Sequence, residues 1–358
     1  MSDSTRSLDL DVSFYDLSSF HPNLKLLSFL TAQPDDTFEA NMIVGEFVEL
    51  AMALQAPGPC QRRSDRQLIG SGGQFRVFKD DVFFSTRPSE LVVAALKIPR
   101  FMLNAEQQLD ISDPQVRHHI RSLIIEMMAL CHPKLRDHPN IVKLIGWGFD
   151  DGSWHTPPFL ALELASSDLQ ALLDNNTLES WEEELSIITQ IGGGLDAIHN
   201  AGLLHGDLKP DNILIVVKRG MWVPRLTDFG GAVRLDGPPE LSCLGTTGWR
   251  APELRRYKEA GAPLDQSRLS AIDVWSFGVV VWAVLCHGGS PPRGSETDAA
   301  VGNALADLAK RKKSLSDGVY DLLRGIIPPL LDSHPPSRPR RVESLFLRGG
   351  HSNNSLVP

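Results

Sequence analysis

The chain has 358 residues, 42% of them hydrophobic and 22% charged, the balance of a globular protein with room for one large or two ordinary domains. Its formal net charge of -9 argues against a nucleic-acid backbone or an anionic membrane surface as the main partner. The four cysteines, Cys60, Cys131, Cys243 and Cys286, stand far apart with no CxxC pair, so the spacing predicts neither a structural zinc site nor a disulfide framework and fits a reduced compartment.

The opening stretch MSDSTRSLDLD is acidic and polar where a secretory signal is basic and then apolar, and it lacks the arginine bias of a transit peptide. A cytoplasmic location is expected, with the nucleus as a second compartment. Residues 1–60 read as an N-terminal extension, partly helical or disordered, with Phe47, Leu50, Ala51 and Leu54 at partial helical spacing and the punctuation APGPCQRR at its end. Such a segment is a candidate for docking on the strand-rich region next to it or for recruiting a regulatory partner. From Gln67 to Ile98 short β-branched and apolar runs, RVFK, DVFFS and LVVAALKI, alternate with Gly-rich or polar turns and predict an antiparallel sheet.

A helix is predicted next, with Pro114 just inside a Ser112/Asp113 cap and Val116, Ile120, Leu123, Ile124, Met127 and Leu130 on one stripe. NIVKLIGWGF and PFLALELA read as two further strands. After Asp168 the pattern turns helical, through LQALLDN, WEEELSIITQIGGGLDAIHNAG and DAAVGNALADLAKRKK. VWSFGVVVWAVLC, from Val274 to Cys286, is shorter than the roughly 20 residues that a bilayer needs and reads as a buried core helix. Strands first and helices second predict an α+β, two-lobed architecture: 61–165 a small antiparallel lobe with one helix, 166–348 a larger, mainly helical lobe, and 349–358 a disordered tail.

Three stretches carry chemistry. Gly70, Gly72 and Gly73 in IGSGGQFRVFK would let backbone N–H groups approach phosphate without a Cβ in the way, although a plain Gly-rich turn reads the same and no Walker A lysine follows. Lys97 is a lone lysine in an apolar strand, and Glu126 interrupts the apolar run SLIIEMMAL; an ion pair would satisfy both, and a solvated edge would do so equally. HGDLKPDNILI places Asp207, Lys209 and Asn212 in one short loop before an apolar strand.

Taken together, GSGGQFRV, AALK, Glu126, HGDLKPDN, DFG, APE and DVWSFG resemble, in order, the motif series of eukaryotic protein kinases over roughly residues 67–342. The resemblance implies ATP and Mg2+ as cofactors and protein substrates as partners, with neither nucleic acid nor membrane. It implies that Asp207 handles the proton of the attacking hydroxyl, that Lys209 contacts the transferred phosphate, and that Asn212 and Asp228 hold the metal. Lys97, paired with Glu126, would hold the α- and β-phosphates under Gly70, Gly72 and Gly73. Ile69, Val77, Ala95 and Leu214, with Leu162 behind, would line the adenine pocket, and the backbone of Glu163 and Ala165 would bond to the base; each of these apolar residues also reads as ordinary core. Leu130, Leu144, His205 and Phe229 match positions that stack between the lobes, His205 being read as a buried histidine that transfers no proton. Glu253 and Arg338 match a buried ion pair, and Asp273 a carboxylate that holds the catalytic-loop backbone. DLKPDN and Thr246 resemble the serine/threonine pattern, and Trp249 with KLIG leans toward the tyrosine-kinase-like branch.

Two positions depart from the pattern. Phe75 stands in place of the third glycine, so weakened or slowed nucleotide binding is expected. Gly206 stands where most kinases have an arginine that answers activation-loop phosphate, which implies a kinase of the non-RD kind, controlled by other means. Ser242, Thr246 and Thr247 are hydroxyls open to modification, Thr246 being better explained by structure. The competing readings are a pseudokinase scaffold, which has no need of Lys97, Asp207, Asn212 and Asp228 together, and a small-molecule kinase, which APE and Arg338 disfavour.

Overall fold

The computed structural model describes residues 40–62, 66–84, 87–100, 113–150, 156–236, 244–261, 264–286 and 289–347. Ser112, Ser242, Cys243, most of the extension and the tail 349–358 lie outside the described residues. The chain divides into two compact units, one up to Pro133 together with Leu144–Ala161, the other Lys134–Lys143 and Leu162 onward.

In the first unit, strands β1 (Cys60–Arg62), β2 (Gln67–Ser71), β3 (Phe75–Phe84), β4 (Arg87–Pro99), β5 (Leu144–Phe149) and β6 (Pro158–Glu163) form one sheet in the order β1-β3-β4-β6-β5, with β2 on β3. RVFK and DVFFS are not separate strands as their polar junction suggested. Lys79, Asp80 and Asp81 continue β3, because the Asp80 carboxylate accepts the Asp81 N–H at 2.7 Å and the register with β4 runs through them unbroken.

Period-two alternation puts Phe78 and Val82 of β3 on one face with Ala94, Leu96 and Ile98 of β4, where Cys60, Phe159 and Ala161 complete the core. Asp80 shares that face, and burial pushes its carboxyl above the usual range. Phe75, Val77, Ala95 and Lys97 lie on the opposite face.

Helix α1 (Ala40–Ala53), which lies in the stretch read as an extension, belongs to this unit. Its Phe47 ring sits edge-on to Trp147 at 5.7 Å and to Phe149 at 6.3 Å, and Phe47, Leu50 and Ala51 are buried. Gly148 of β5 is required by crowding: a Cβ there would overlap the Cys60 carbonyl and the Phe159 ring. Helix α2 (Pro114–Cys131) is capped by Asp113, whose carboxylate accepts the Gln115 N–H at 2.8 Å, and its expected stripe from Val116 to Leu130 is buried.

The second unit is mainly helical. Asp168 caps α3 (Leu169–Asp174) by accepting the Ala171 N–H at 2.7 Å, and Ser180 caps α4 (Trp181–Asn200). The strand β7 (Ser167–Asp168) pairs with the first strand of a hairpin, β8 (Ile213–Lys218) and β9 (Met221–Leu226), which turns through Arg219 and Gly220, both at positive φ. Helix α5 (Pro252–Ala260) precedes α6 (Ser270–Cys286), the run read as a core helix, in which every residue from Ala271 to Leu285 is buried. Helices α7 (Ala300–Arg311) and α8 (Asp317–Leu330) pack on it. Arg311 forks onto Glu184 of α4 at 2.8 and 3.0 Å. Among the described residues no helix is long and apolar enough to cross a membrane.

Candidate active site

Each unit carries part of the predicted site. In the first, Lys97 Nζ donates to Glu126 Oε2 at 2.6 Å, with Glu126 fully buried and Lys97 7% exposed. The solvated-edge reading of these two residues therefore fails. A buried ammonium is stable only against such a partner. The Gly-rich hairpin joins β2 to β3, with Gly70 opposite Val77 and the Gly72 N–H donating to the Phe75 carbonyl at 2.9 Å.

A phosphate group fits this hairpin. Gly72 and Gly73 do not have positive φ, and a Cβ added at Gly73 would meet nothing within 4 Å, so the chain's own packing does not demand glycine there. Glycine there would leave room for an approaching phosphate. Val77 is half-buried, Ala95 buried and Ile69 46% exposed. Leu130 is buried in this unit and Leu144 half-buried.

In the second unit Asp207, Lys209, Asn212 and Thr246 form a closed polar group. The Thr246 hydroxyl donates to Asp207 Oδ1 at 2.7 Å and accepts from Lys209 Nζ at 2.8 Å. Lys209 Nζ is also 3.0 Å from Asp207 Oδ2. The Asn212 amide donates to the Asp207 backbone carbonyl at 2.8 Å and to Oδ2 at 3.3 Å. Thr227 N–H donates to the Asn212 carbonyl at 3.1 Å, which places Asp228 one residue beyond that bond.

Asp228 has φ 65 and ψ 60, a left-handed backbone that a non-glycine residue adopts at a cost. Among the described residues no three His, Cys, Asp or Glu side chains gather into a cage. An oxygen pair such as Asn212 and Asp228 suits Mg2+, which keeps most of its water and takes few protein ligands. Leu162 is buried and Leu214 half-buried. The segment holding Glu163 and Ala165 is pinned on both sides, by Glu163 N–H to Lys143 O and by Ser166 N–H to Ile215 O, each 2.9 Å.

The catalytic loop hangs on Asp273. This fully buried carboxylate accepts the backbone N–H groups of His205 and Gly206 at 2.8 and 2.9 Å and meets His199 Nε2 at 2.9 Å. Burial works to raise its pKa, but the His199 hydrogen bond, the two histidines and the Gly206 N–H outweigh it and hold the carboxyl below the usual range. His205 Nε2 meets the Thr227 carbonyl at 2.9 Å and its Nδ1 accepts the Asp207 N–H at 3.3 Å, so both ring nitrogens serve the backbone. Its ring lies 5.2 Å from that of Phe229.

Asp273→Asn is expected to cost about 3 kcal/mol, since it leaves buried donors poorly matched. Because the folded pKa is depressed, the stability that the carboxylate contributes is present in full above about pH 4 and is lost as pH falls through the lower folded value. Urea unfolding of both proteins at pH 7 and through the acid range should show a gap that closes on acidification; a constant gap would place the effect elsewhere.

Gly206 has φ +81, and a Cβ there would overlap the side chain of Leu244, which is 1% exposed. Lys258 Nζ in turn bonds to the Leu244 carbonyl. Beyond it, Arg338 forks onto Glu253 at 2.6 and 2.9 Å, donates to the Ala271 and Asp332 carbonyls, and lies 4.7 Å over the Trp275 ring. Three features escaped sequence reading: His199 as a partner of Asp273, Leu244 against Gly206, and Arg225, 1% exposed, whose Nε lies 3.1 Å from Glu163. A lone arginine in WVPRL was the only available signal, of the same kind as Lys97.

Such an arrangement, a buried Lys–Glu pair in a sheet unit and an Asp–Lys–Asn loop in a helical one, is the equipment of phosphoryl transfer. A family model described as the protein kinase domain matches residues 103–343, well over half of the chain, and the chain belongs to that family. The match begins beyond the Gly-rich hairpin and Lys97. Among curated proteins, the chain is 28% identical to the serine/threonine-protein kinase shk1/pak1 of Schizosaccharomyces pombe, over 63% of this chain and 32% of that protein. It is 29% identical to the smooth-muscle myosin light chain kinase of Gallus gallus, over 62% of this chain and 11% of that protein. Human calcium/calmodulin-dependent protein kinase type 1B is 26% identical over 76% of this chain and 70% of its own length. The first two relatives are thus spanned only in small part.

Proposed function

We propose that the chain is an ATP- and Mg2+-dependent protein kinase that phosphorylates serine and threonine hydroxyls of protein substrates, with a catalytic loop of the non-RD kind. The observation that carries this is the closed group of Asp207, Lys209, Asn212 and Thr246. Oδ1 of Asp207 is held by a hydroxyl and Oδ2 by an ammonium and an amide, which aims the carboxylate to take a proton from an acceptor hydroxyl. Lys209 brings positive charge to where the transferred phosphate would accumulate negative charge.

The Asn212 amide nitrogen is spent on Asp207, which leaves its carbonyl oxygen for a cation beside Asp228. Bound Mg2+ would neutralise phosphate charge during transfer. Lys97, fixed by Glu126, would hold the nucleotide phosphates beneath Gly70, Gly72 and Gly73; of the residues that the resemblance assigns to the base, Ile69, Val77 and Ala95 belong to the first unit, and Leu214 with the backbone at Glu163 and Ala165 to the second. The serine/threonine reading is supported by the contact of Thr246 with Asp207 of the catalytic loop and by the names of the relatives. The tyrosine-kinase-like placement rests on Trp249 and KLIG alone. We place the protein in the cytoplasm on its charge and cysteine spacing, and read the extension around α1 as the region for a regulatory partner.

The test is transfer of labelled γ-phosphate from Mg-ATP to the protein itself and to a basic acceptor peptide. Label on serine or threonine is expected. Absence of transfer, with nucleotide still raising the melting temperature, would establish the scaffold reading instead.

A further inference from the structure

Phe75 stands where the motif series has its last glycine. It opens β3 opposite Pro99, while Val77 lies opposite Lys97, so Phe75 and Lys97 are diagonal neighbours on one face. Diagonal pairs touch when one side chain is aromatic and the other long. Here Lys97 Nζ lies 4.6 Å from the centroid of the Phe75 ring and 2.6 Å from Glu126 Oε2. The same ring meets the His119 imidazole of α2, with centroids 5.9 Å apart. Phe75 is 8% exposed. The ammonium thus has a carboxylate on one side and an aromatic face on another, and little of it meets solvent.

The hairpin keeps this pose by bonds of its own. The Arg100 N–H donates to the Gln74 carbonyl and its guanidinium to the Gly72 carbonyl, both at 2.8 Å. Gln74 Nε2 approaches His118 Nε2 at 3.4 Å, so two neighbouring residues of the hairpin, Gln74 and Phe75, reach two neighbouring histidines of α2. With glycine in place of Phe75 none of the aromatic cover would exist.

We propose that Phe75 is a cover over Lys97: its ring takes the side of the ammonium that nucleotide phosphates would use, and displacing it sets the affinity for polyphosphate but not for the nucleoside. This rests on the reading of Lys97 as the phosphate-binding lysine. Phe75 is here a specificity-determining residue rather than a catalytic one.

The test uses the full chain as wild type, Phe75→Gly and Phe75→Leu; the leucine keeps the apolar volume and the strand but has no aromatic face for the cation. Two quantities are measured: the rate at which an amine-acylating reagent modifies Lys97, followed by peptide mass spectrometry against exposed Lys143 and Lys218, and the affinities for ATP, ADP and adenosine by titration calorimetry. Both variants are expected to expose Lys97 to faster acylation with Lys143 and Lys218 unchanged. ATP and ADP should bind about tenfold tighter to Phe75→Gly, the ratio that a desolvated cation–π contact supports, with adenosine unchanged. Unchanged Lys97 reactivity, looser ATP binding, or an equal gain for adenosine would overturn the proposal. Faster acylation with no ATP binding by any of the three proteins would instead overturn the reading of Lys97 as a phosphate ligand.

Discussion

Asp207→Asn is expected to lower kcat by about a thousandfold, the middle of the range for loss of a positioned general base. The carboxylate is held from three directions: Thr246 at Oδ1, and Lys209 and Asn212 at Oδ2. Asparagine keeps the shape but lacks the negative charge that Lys209 faces, and its amide cannot take up a proton. One end of it becomes a donor aimed at groups that already donate, so the loop loses a bond as well as a base. The loss should fall on kcat, with nucleotide affinity close to wild type and the melting temperature lowered only by the lost bond. Steady-state kinetics with a peptide acceptor, alongside nucleotide titration, separates the two effects. A variant that keeps a third of the wild-type rate would remove Asp207 from the role assigned to it.

Gly206→Arg, which restores the residue most kinases have, is expected to destabilise the second unit by roughly 3 kcal/mol or more. The backbone there lies at φ +81, where a side chain is strained, and the first carbon of that side chain would overlap buried Leu244. An arginine would also bring a cation into a buried position, at a desolvation cost of its own. Leu244 fills the place a side chain would need, and Lys258 bonds its carbonyl. The space at Gly206 is therefore occupied by an apolar residue rather than left waiting for a charged one. Chemical denaturation of both proteins measures the cost. An arginine variant as stable as wild type would show that Leu244 moves aside freely.

Much of the fold was legible in the sequence because its periodicities are local. The stripe from Val116 to Leu130, the Asp113 cap with Pro114 and the all-apolar run ending at Cys286 each state a helix in consecutive residues. The hairpin turn at Arg219 and Gly220 was less legible, since Arg-Gly is a weaker signal than Asn-Gly for two residues at positive φ. The β3 junction misled because Asp80 and Asp81 read as a turn, whereas the Asp80 carboxylate finds its partner in the next peptide N–H. Helix α1 was legible only as partial helical spacing, because its few apolar residues acquire a partner only in Trp147 and Phe149, about a hundred residues away in the chain.

The chemical groups of the candidate site were set by the sequence: a lysine in an apolar strand, a glutamate in an apolar helix, and an Asp–Lys–Asn loop ahead of a strand. Their local spacing was enough, because each oddity violates the cost of burying a charge or a polar group without a partner. The sequence also suggested the Lys97–Glu126 pair and Asp273 as the anchor of the catalytic loop; what the tertiary structure alone decided is which atoms meet and how each pairing is buried. Lys97 meets Glu126 at 29 residues' separation, Asp207 meets Thr246 at 39 and Gly206 meets Asp273 at 67. It also decided that Phe75, in the sequence only a missing glycine, lies with its ring on the Lys97 ammonium. Such pairings depend on strand register and helix packing, which bring distant residues within hydrogen-bond reach only once both units' cores have closed.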